Sequence, residues 1–259
     1  MDEHALHKTL ADLPLGEVRY FDRAGSTNDV ALAWATEGAP DLALVFAEEQ
    51  TAGRGRGSRK WFTPPGAALA FSLVLRPASA DGKHVARFSG LGALAVTEAL
   101  EGLKLQPEIK WPNDILLHGR KVCGILVDVV WVGEEIESLI LGIGINVRPQ
   151  SVPPVDRLNF PATSLDAETS QPVDRLQLLH NVLGALLQWR PRLPTHEFLQ
   201  AWEDHLAFRG QQVEVWAEGI PFRPGRLEGL DEDGSLRLRT PQGRTFSLQF
   251  GEVHLRPVV

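Results

Sequence analysis

Apolar positions in this chain fall into two kinds of run, and their succession sets the expected architecture. Residues 18–21 and the continuous apolar stretch 42–47 have strand length, and a second such stretch follows at 67–75. Between 85 and 103 the apolar residues Val85, Phe88, Leu91, Leu94, Ala95 and Ala99 recur at helical spacing, which predicts the main helix packed on that sheet. Pro107 resets the chain before residues 109–131, which read as two strands joined at a turn near His118 and Gly119. Gly133 and Glu134 make the next turn, and 136–147 a further strand. Prolines and polar residues from 148 to 158 mark a connection, followed by helices over 174–189 and 196–206. From 210 onward, short alternating strands divided by EDG and PQG turns predict a small antiparallel barrel. The expected fold is therefore α+β: a central mixed β-sheet with packed helices over residues 1–207, then an SH3-like barrel over 208–259, with the boundary near Phe208.

Two polar interruptions of this pattern carry the candidate chemistry. The first, AEEQTAGRGRGSRKW at 47–61, alternates Gly53, Gly55 and Gly57 with small or cationic residues, so it cannot pack a core but can lie flat against a ligand. Arg54, Arg56, Arg59 and Lys60 place four positive charges within seven residues, and like charges so close repel unless an anion sits among them. A phosphate is the natural counterpart. The second is Lys121, which opens a strand after the turn HGR, with Lys110, Asn113 and Asp114 a few residues before it on the paired strand. Gly124 leaves space on that strand for something to approach the backbone. Trp111 and Pro112 read as packing and a bend, and Asn146 reads either as a strand-end turn residue or as a ligand contact.

Ser26, Thr27 and Asn28 precede the apolar positions Val30, Ala31, Trp34 and Ala35, with Asp29 three residues after Ser26. That is a capping-box pattern at a helix start, and the same cluster could instead offer donors and acceptors to a ligand. Charge and composition narrow the class further. The 259 residues are 43% hydrophobic and 23% charged, sufficient for one good-sized core and a satellite domain, and the formal charge of −7 disfavours a general nucleic-acid binder. Cys123 is the only cysteine, which excludes an intrachain disulfide framework. No apolar run approaches a membrane span and no targeting signal is visible near residue 1, so a cytoplasmic protein without membrane association is expected.

STN at 26–28, EEQTAGRGRGSRKWFTPPGA at 48–67, KWPNDILLHGRKVCGILVD at 110–128, GIGINV at 142–147 and the terminal GEVHLRP together resemble the biotin protein ligase family over nearly the whole chain. The resemblance implies a class II synthetase-like, biotin/lipoate-ligase-like catalytic sheet. It also implies ATP-dependent activation of biotin to biotinyl-5′-AMP, with Mg²⁺ shielding phosphates, and transfer to a lysine of the biotin carboxyl carrier protein of acetyl-CoA carboxylase or a related carboxylase. By motif, Ser26, Thr27 and Gln50 would hydrogen-bond the ureido ring, with Asn28 beside them, and Gly124 would make room for the valeryl chain. Arg54, Gly55, Arg56 and Lys121 would gather the biotin carboxylate and phosphates. The nucleotide would meet Gly53, Arg54, Arg56, Trp61, Lys110, Asn113, Lys121 and Asn146, with Arg256 closing on it from the barrel. Lys121, Arg56 and Asp114 would be catalytic, Asp114 orienting or accepting the acceptor lysine's proton; no metal ligands are assigned.

The family loop usually carries a glycine where this chain has Ser58, and the 25 residues before Ser26 are too few for the DNA-binding domain of some members, so the short, ligase-only class without DNA binding is expected. A homodimer is one arrangement compatible with that class. A lipoate or octanoate ligase on the same core, or a non-catalytic RNA-binding protein gripping RNA through the Gly/Arg loop, are the alternatives.

Overall fold

The structure is a computed structural model that describes residues 1–77, 85–158, 160–217, 220–249 and 253–257, with the backbone alone described at 157, 216–217, 220–223 and 253–257. Its first part follows the apolar pattern. Helix α1 (Glu3–Thr9) leads to strand β1 (Val18–Ala24), helix α2 (Thr27–Thr36) crosses over to β2 (Ala43–Gln50), and β3 (Ala68–Leu75) follows the glycine-arginine loop. Helix α3 (Val85–Glu101) then leads into β4 (Pro107–Lys110), β5 (Asp114–Leu117), β6 (Arg120–Val132) and β7 (Glu135–Asn146). These seven strands form one mixed sheet in the order β1-β2-β3-β7-β6-β5-β4, with β1 and β2 parallel and every other pairing antiparallel.

The stretch expected as two strands is three. Ile109, Lys110 and Trp111 suggest one continuous run, but a turn at Trp111–Asn113 ends β4 and starts β5, so Lys110 and Asp114 end up paired across a tight hairpin. Pro112, which cannot donate to a ladder, sits in that turn. The turn at His118 and Gly119 is where it was expected, with both residues at positive φ.

Alternation assigns the sheet two different faces. Leu44, Phe46, Leu69, Phe71, Leu73, Leu139, Leu141, Ile143 and Ile145 point to one side and are buried in the main core. There they meet α3, whose sides are buried almost all round, and α5 (Arg175–Trp189) through Leu178, Leu179, Val182, Leu183 and Leu186. On the other side Ala43, Val45, Val74 and Ile140 pack against Ala31, Trp34 and Ala35 of α2 in a smaller cluster. Further along that same side the residues are Ser72, Gly142, Gly144, Gly124 and Asn146, too small or too polar to fill a core.

Beyond the four-residue helix α4 (Leu165–Glu168) and α5, helix α6 (His196–Asp204) hands the chain to β8 (Gln212–Ala217), β9 (Ile220–Leu230), β10 (Leu236–Arg239), β11 (Thr245–Leu248) and β12 (Val253–Pro257). These make a five-stranded antiparallel sheet in the order β11-β10-β9-β8-β12. The main core continues into this sheet through Trp202, Leu227, Leu230, Leu236 and Leu238. Hydrogen bonds from Trp111 Nε1 to the Gly234 carbonyl (3.0 Å) and from the Leu230 amide to Glu203 (2.7 Å) tie the two regions together.

Candidate active site

The polar half of the small-residue face is built from the start of α2, the end of β2 and the loop that leaves it. Ser26 occupies the N-cap position in extended conformation, but its side chain makes no cap bond. The first helical amide, Thr27 N–H, is instead satisfied by Gln50 Oε1 from β2 at 2.8 Å. Asp29 does not complete a capping box either; it faces the loop and pairs with Arg54. The local cap expected from the sequence is thus replaced by a long-range one. Thr27 Oγ1 also reaches Gln50 Oε1 (3.2 Å), Gln50 Nε2 donates to Thr63 Oγ1 (3.0 Å), and Ser72 Oγ lies 2.8 Å from Thr27 Oγ1 and 2.7 Å from Asn28 Oδ1. Ser26, Thr27, Asn28 and Ser72 are all buried, so these groups form a rigid hydrogen-bonding wall.

Beside that wall the strands offer a glycine floor. Gly124 and Gly144 are paired across β6 and β7, and the Trp61 indole lies on both: a Cβ at Gly124 would stand 3.1 Å from Cζ3, and one at Gly144 would collide with the ring. A Cβ at Gly142 would collide with Asn28 in the same way. Trp61 Nε1 is buried without a hydrogen-bond partner, a donor facing this floor. The loop bearing Trp61 is itself a small hairpin. Trp61 N–H donates to Gly53 O (2.8 Å), Gly55 N–H to Arg59 O (2.8 Å), and Gly57 takes a positive φ of 62° at the tip. Ser58 sits in that tip and is exposed, so no packing turns on its side chain.

The charged end is centred on Asp114. Its carboxylate receives Lys121 Nζ at 2.6 Å on one oxygen and lies 3.6 Å from Lys110 Nζ on the other. Burial alone would raise the Asp114 carboxyl, but the two ammonium groups outweigh it and hold its pKa below the ordinary carboxylate value. Burial depresses the Lys110 ammonium, Asp114 opposes the shift, and the Lys121 charge adds to it. Lys110 also lies over the Phe160 ring (4.3 Å), and Lys121 stands 5.4 Å from the Trp61 ring centroid. Two cations against one anion leave the group one positive charge in excess.

A register slip aims Lys121 here. Cys123 pairs with Ile115, but Lys121 pairs with Leu116, so Val122 is an extra residue in β6. Val122 and Cys123 both enter the core, and Lys121 is turned toward Gly124, where a Cβ would stand 3.2 Å from its Nζ. Strand-like contacts fix its backbone: the Lys121 amide donates to Pro161 O (2.7 Å) and its carbonyl accepts from Thr163 N–H (2.9 Å). Cys123, wholly buried, has its thiol pKa pushed up by burial.

The sequence-derived residues therefore converge, with some changes of employment. Arg56 reaches Asn113 Oδ1 at 3.3 Å, and Asn113 is held by its own amide on Ile125 O (2.8 Å), so both stand at the charged end. Arg54 does not turn to that end: it is bound by Asp29 and Asp128. Asn146 is buried and donates to Thr163 O (3.1 Å), which makes it a brace for the segment beside Lys121. Arg256 lies in β12, whose backbone pairs with Glu214; its side chain falls outside the described residues. Ser72, Asp128 and Phe160 were not singled out from sequence, although a lone serine in the otherwise apolar β3 was a readable signal. Among the described residues no three His, Cys, Asp or Glu side chains group to hold a metal ion, and no helix is long and apolar enough to cross a membrane.

Comparison with known proteins places this geometry. The model of the biotin/lipoate A/B protein ligase family matches residues 20–146. A biotin–[acetyl-CoA-carboxylase] ligase from Paracoccus denitrificans is 37% identical over 238 residues, covering 86% of this chain and 94% of that protein. A bifunctional ligase/repressor from Bacillus spizizenii is 36% identical over 228 residues, covering 86% of this chain and 70% of that one. Among solved structures, the biotin protein ligase from Aquifex aeolicus in complex with biotin and ATP superposes with a TM-score of 0.80 at 28% identity, over 93% of this chain and 99% of that chain.

Proposed function

The chain belongs to the biotin/lipoate A/B protein ligase family, and on that premise we propose the following division of labour in its site. The enzyme is a biotin ligase: it activates biotin with ATP to biotinyl-5′-AMP, releasing diphosphate, and transfers the biotinyl group to a lysine of a biotin carboxyl carrier protein. The observation that carries the assignment of roles is the meeting of three surfaces along one face of the sheet. These are a buried hydrogen-bonding wall, a glycine floor, and a charged group with one positive charge in excess.

Each surface suits one part of the reaction. A ureido ring carries two N–H donors and a carbonyl acceptor, which match the mixed donors and acceptors of Ser26, Thr27, Asn28 and Gln50. The floor at Gly124 and Gly144, with Trp61 as its movable cover, takes the apolar valeryl chain and brings its carboxylate to Lys121. Joining a carboxylate to the α-phosphate brings two anions together, so the barrier is largely electrostatic. Lys121 and Lys110, fixed on strands, and Arg56 with Asn113 offset that repulsion without having to be reorganised during the step. The carboxylate oxygen attacks the α-phosphorus, the α–β bridging bond breaks, and diphosphate leaves with the electron pair.

Asp114 acts here as the aligning anion. A carboxylate held ionised between two ammonium groups is a weak base, so it orients Lys121 and does not take the acceptor lysine's proton. Mg²⁺ would be held chiefly by phosphate oxygens and water, which suits a hard cation at a site whose described residues offer no acidic cluster; it would shield the phosphate charge. The mixed anhydride must be kept from water until the acceptor arrives, and covering it is the task of the 53–61 loop.

Incubation with biotin, MgATP and a carrier domain should give a biotinyl adduct on one carrier lysine, seen by mass. Charging with lipoate in place of biotin under the same conditions would move the enzyme to the lipoate branch of its family, and salt-dependent RNA binding without diphosphate release would remove it from catalysis.

A further inference from the structure

Among the charges around the site, Arg54, Asp29 and Asp128 take no part in the activation step described above, yet three hydrogen bonds interlock them. Arg54 Nη1 and Nη2 donate to the two oxygens of Asp128 at 3.0 and 3.1 Å, a two-pronged pairing, and Nη1 also reaches Asp29 Oδ1 at 2.8 Å. We propose that Arg54 and Asp128 form a latch that holds the glycine-arginine loop closed over the site, with Asp128 a positioning residue for retention of the activated intermediate. The proposal rests on the ligase reading given above and names the device that keeps the mixed anhydride covered.

Three features support a latch over an anion-binding role for Arg54. The first is charge. One guanidinium against two carboxylates leaves this group with an excess negative charge, so it repels a phosphate, whereas the Lys110–Asp114–Lys121 group attracts one. Burial works against the Arg54 charge, but Asp128 and Asp29 more than compensate, so its pKa rises and the guanidinium stays charged.

The second is position. Arg54 pairs with Lys60 across the root of the loop hairpin, next to the Gly53–Trp61 bond, so fixing this one side chain sets both limbs of the excursion that carries Arg56 and Trp61. Its two anchors stand on regular elements, Asp29 on α2 and Asp128 on β6. A glycine-rich loop loses much conformational freedom on closing, and a charge pair at its root offsets that loss where it fixes the most chain.

The third is wiring. Asp128 Oδ2 also accepts from Asn28 Nδ2 at 2.9 Å, and Asn28 Oδ1 lies 2.7 Å from Ser72 Oγ in the wall proposed to receive the ureido ring. Asp128 thereby joins the root of the loop to the wall through one shared carboxylate.

The test uses the full chain with biotin and MgATP and no carrier protein. In Asp128→Asn the first turnover of adenylate should stay within about threefold of the parent, while steady AMP release, which reports lost or hydrolysed adenylate, should rise by about tenfold or more. Arg54→Met should raise the same leak, and the double variant should leak no more than the worse single one, since both remove one latch. Asp128→Glu should restore part of the retention. Trypsin should cut between residues 54 and 60 faster in both variants, with or without biotin. An unchanged leak in Asp128→Asn and Arg54→Met, or leaks that multiply in the double variant, would overturn the latch. If the parent formed no adenylate, the ligase reading would fall, and the tryptic comparison alone would then decide the latch: equal cutting of parent and Asp128→Asn would end it. Matching melting temperatures of the variants and the parent exclude unfolding as the source of a leak.

Discussion

The two faces of the seven-stranded sheet share every strand and every backbone hydrogen bond, yet they do opposite things. On one face Leu141, Ile143 and Ile145 of β7 meet α3 and α5 without a gap. On the other face Gly142, Gly144 and Asn146 carry no apolar side chain: Gly142 lies under Asn28 at the start of α2, Gly144 under Trp61 of the loop, and Asn146 bonds Thr163. The period-two alternation of a strand is what permits this: neighbouring residues never share a face, so stability and chemistry can be tuned one residue apart. The difference teaches that the reactive face is a place where packing was left undone, with glycine supplying space, buried hydrogen bonds supplying direction and paired lysines supplying charge.

The comparison is sharpened first by removing the charge. Lys121→Met keeps most of the side chain's bulk but deletes the ammonium that Asp114 aligns, and should cost about 10²- to 10³-fold in the rate of biotinyl-AMP formation, the scale seen when one preorganised charge-stabilising donor is lost. The dry face should register little, and the melting temperature should fall only by what Asp114 loses as a buried anion. Near-normal adenylate formation in a stopped assay would strip Lys121 of its central role.

Adjacent residues of β7 then give the direct contrast. Gly144→Val places a side chain where the Trp61 indole lies, so biotin affinity measured by calorimetry should drop by about 1.4–2.8 kcal/mol, roughly 10- to 100-fold, with the fold kept because Trp61 stands on a movable loop. Ile143→Val, one residue away, should cost about 0.5–1.5 kcal/mol of stability and leave biotin affinity untouched. If Ile143→Val weakened biotin as much as Gly144→Val did, the two faces would not be separable.

How far the sequence revealed each face follows from the same contrast. The dry face was legible, because strands at 42–47, 67–75 and 136–147 and the helix at 85–103 are long apolar runs whose period decides their type. The active face was legible only where its motifs are local: the Gly/Arg loop, Lys121 and Gly124. What depends on tertiary pairing stayed hidden. The slip at Val122 that aims Lys121 leaves no mark in composition, since Val122 and Cys123 read as ordinary strand residues. Asp29 looked like half of a local cap and Asp128 was not singled out, and only the folded chain brings them to the same arginine. The split of β4 from β5 was missed because Trp111 and Pro112 were read as packing and a bend, not as the turn of a hairpin.

The smallest effect expected is the pH dependence of stability contributed by the charged end of the active face. Asp114 has its pKa lowered in the folded protein, so above the unfolded value of about 3.9 its contribution is fully present, and it is lost as pH falls through the lower folded value. Lys110 is also lowered, but for a base the sign of the contribution reverses: below its folded value it is protonated in both states and its burial destabilises, and that cost is relieved as pH rises toward the unfolded value of about 10.4. Both groups therefore make stability increase with pH, Asp114 at the acid end and Lys110 at the alkaline end. Denaturant melts of the parent and Asp114→Asn as pH falls below about 3.9 should show a shallower acid limb in the variant, and Lys110→Met should flatten the alkaline limb on the approach to about pH 10.4. Ile143→Val should shift the whole curve without changing either slope, because it removes one methylene and no charge. An acid limb in Asp114→Asn as steep as the parent's would mean that the carboxylate between the two lysines is not held ionised by them, and the charged end of the active face would lose its physical basis.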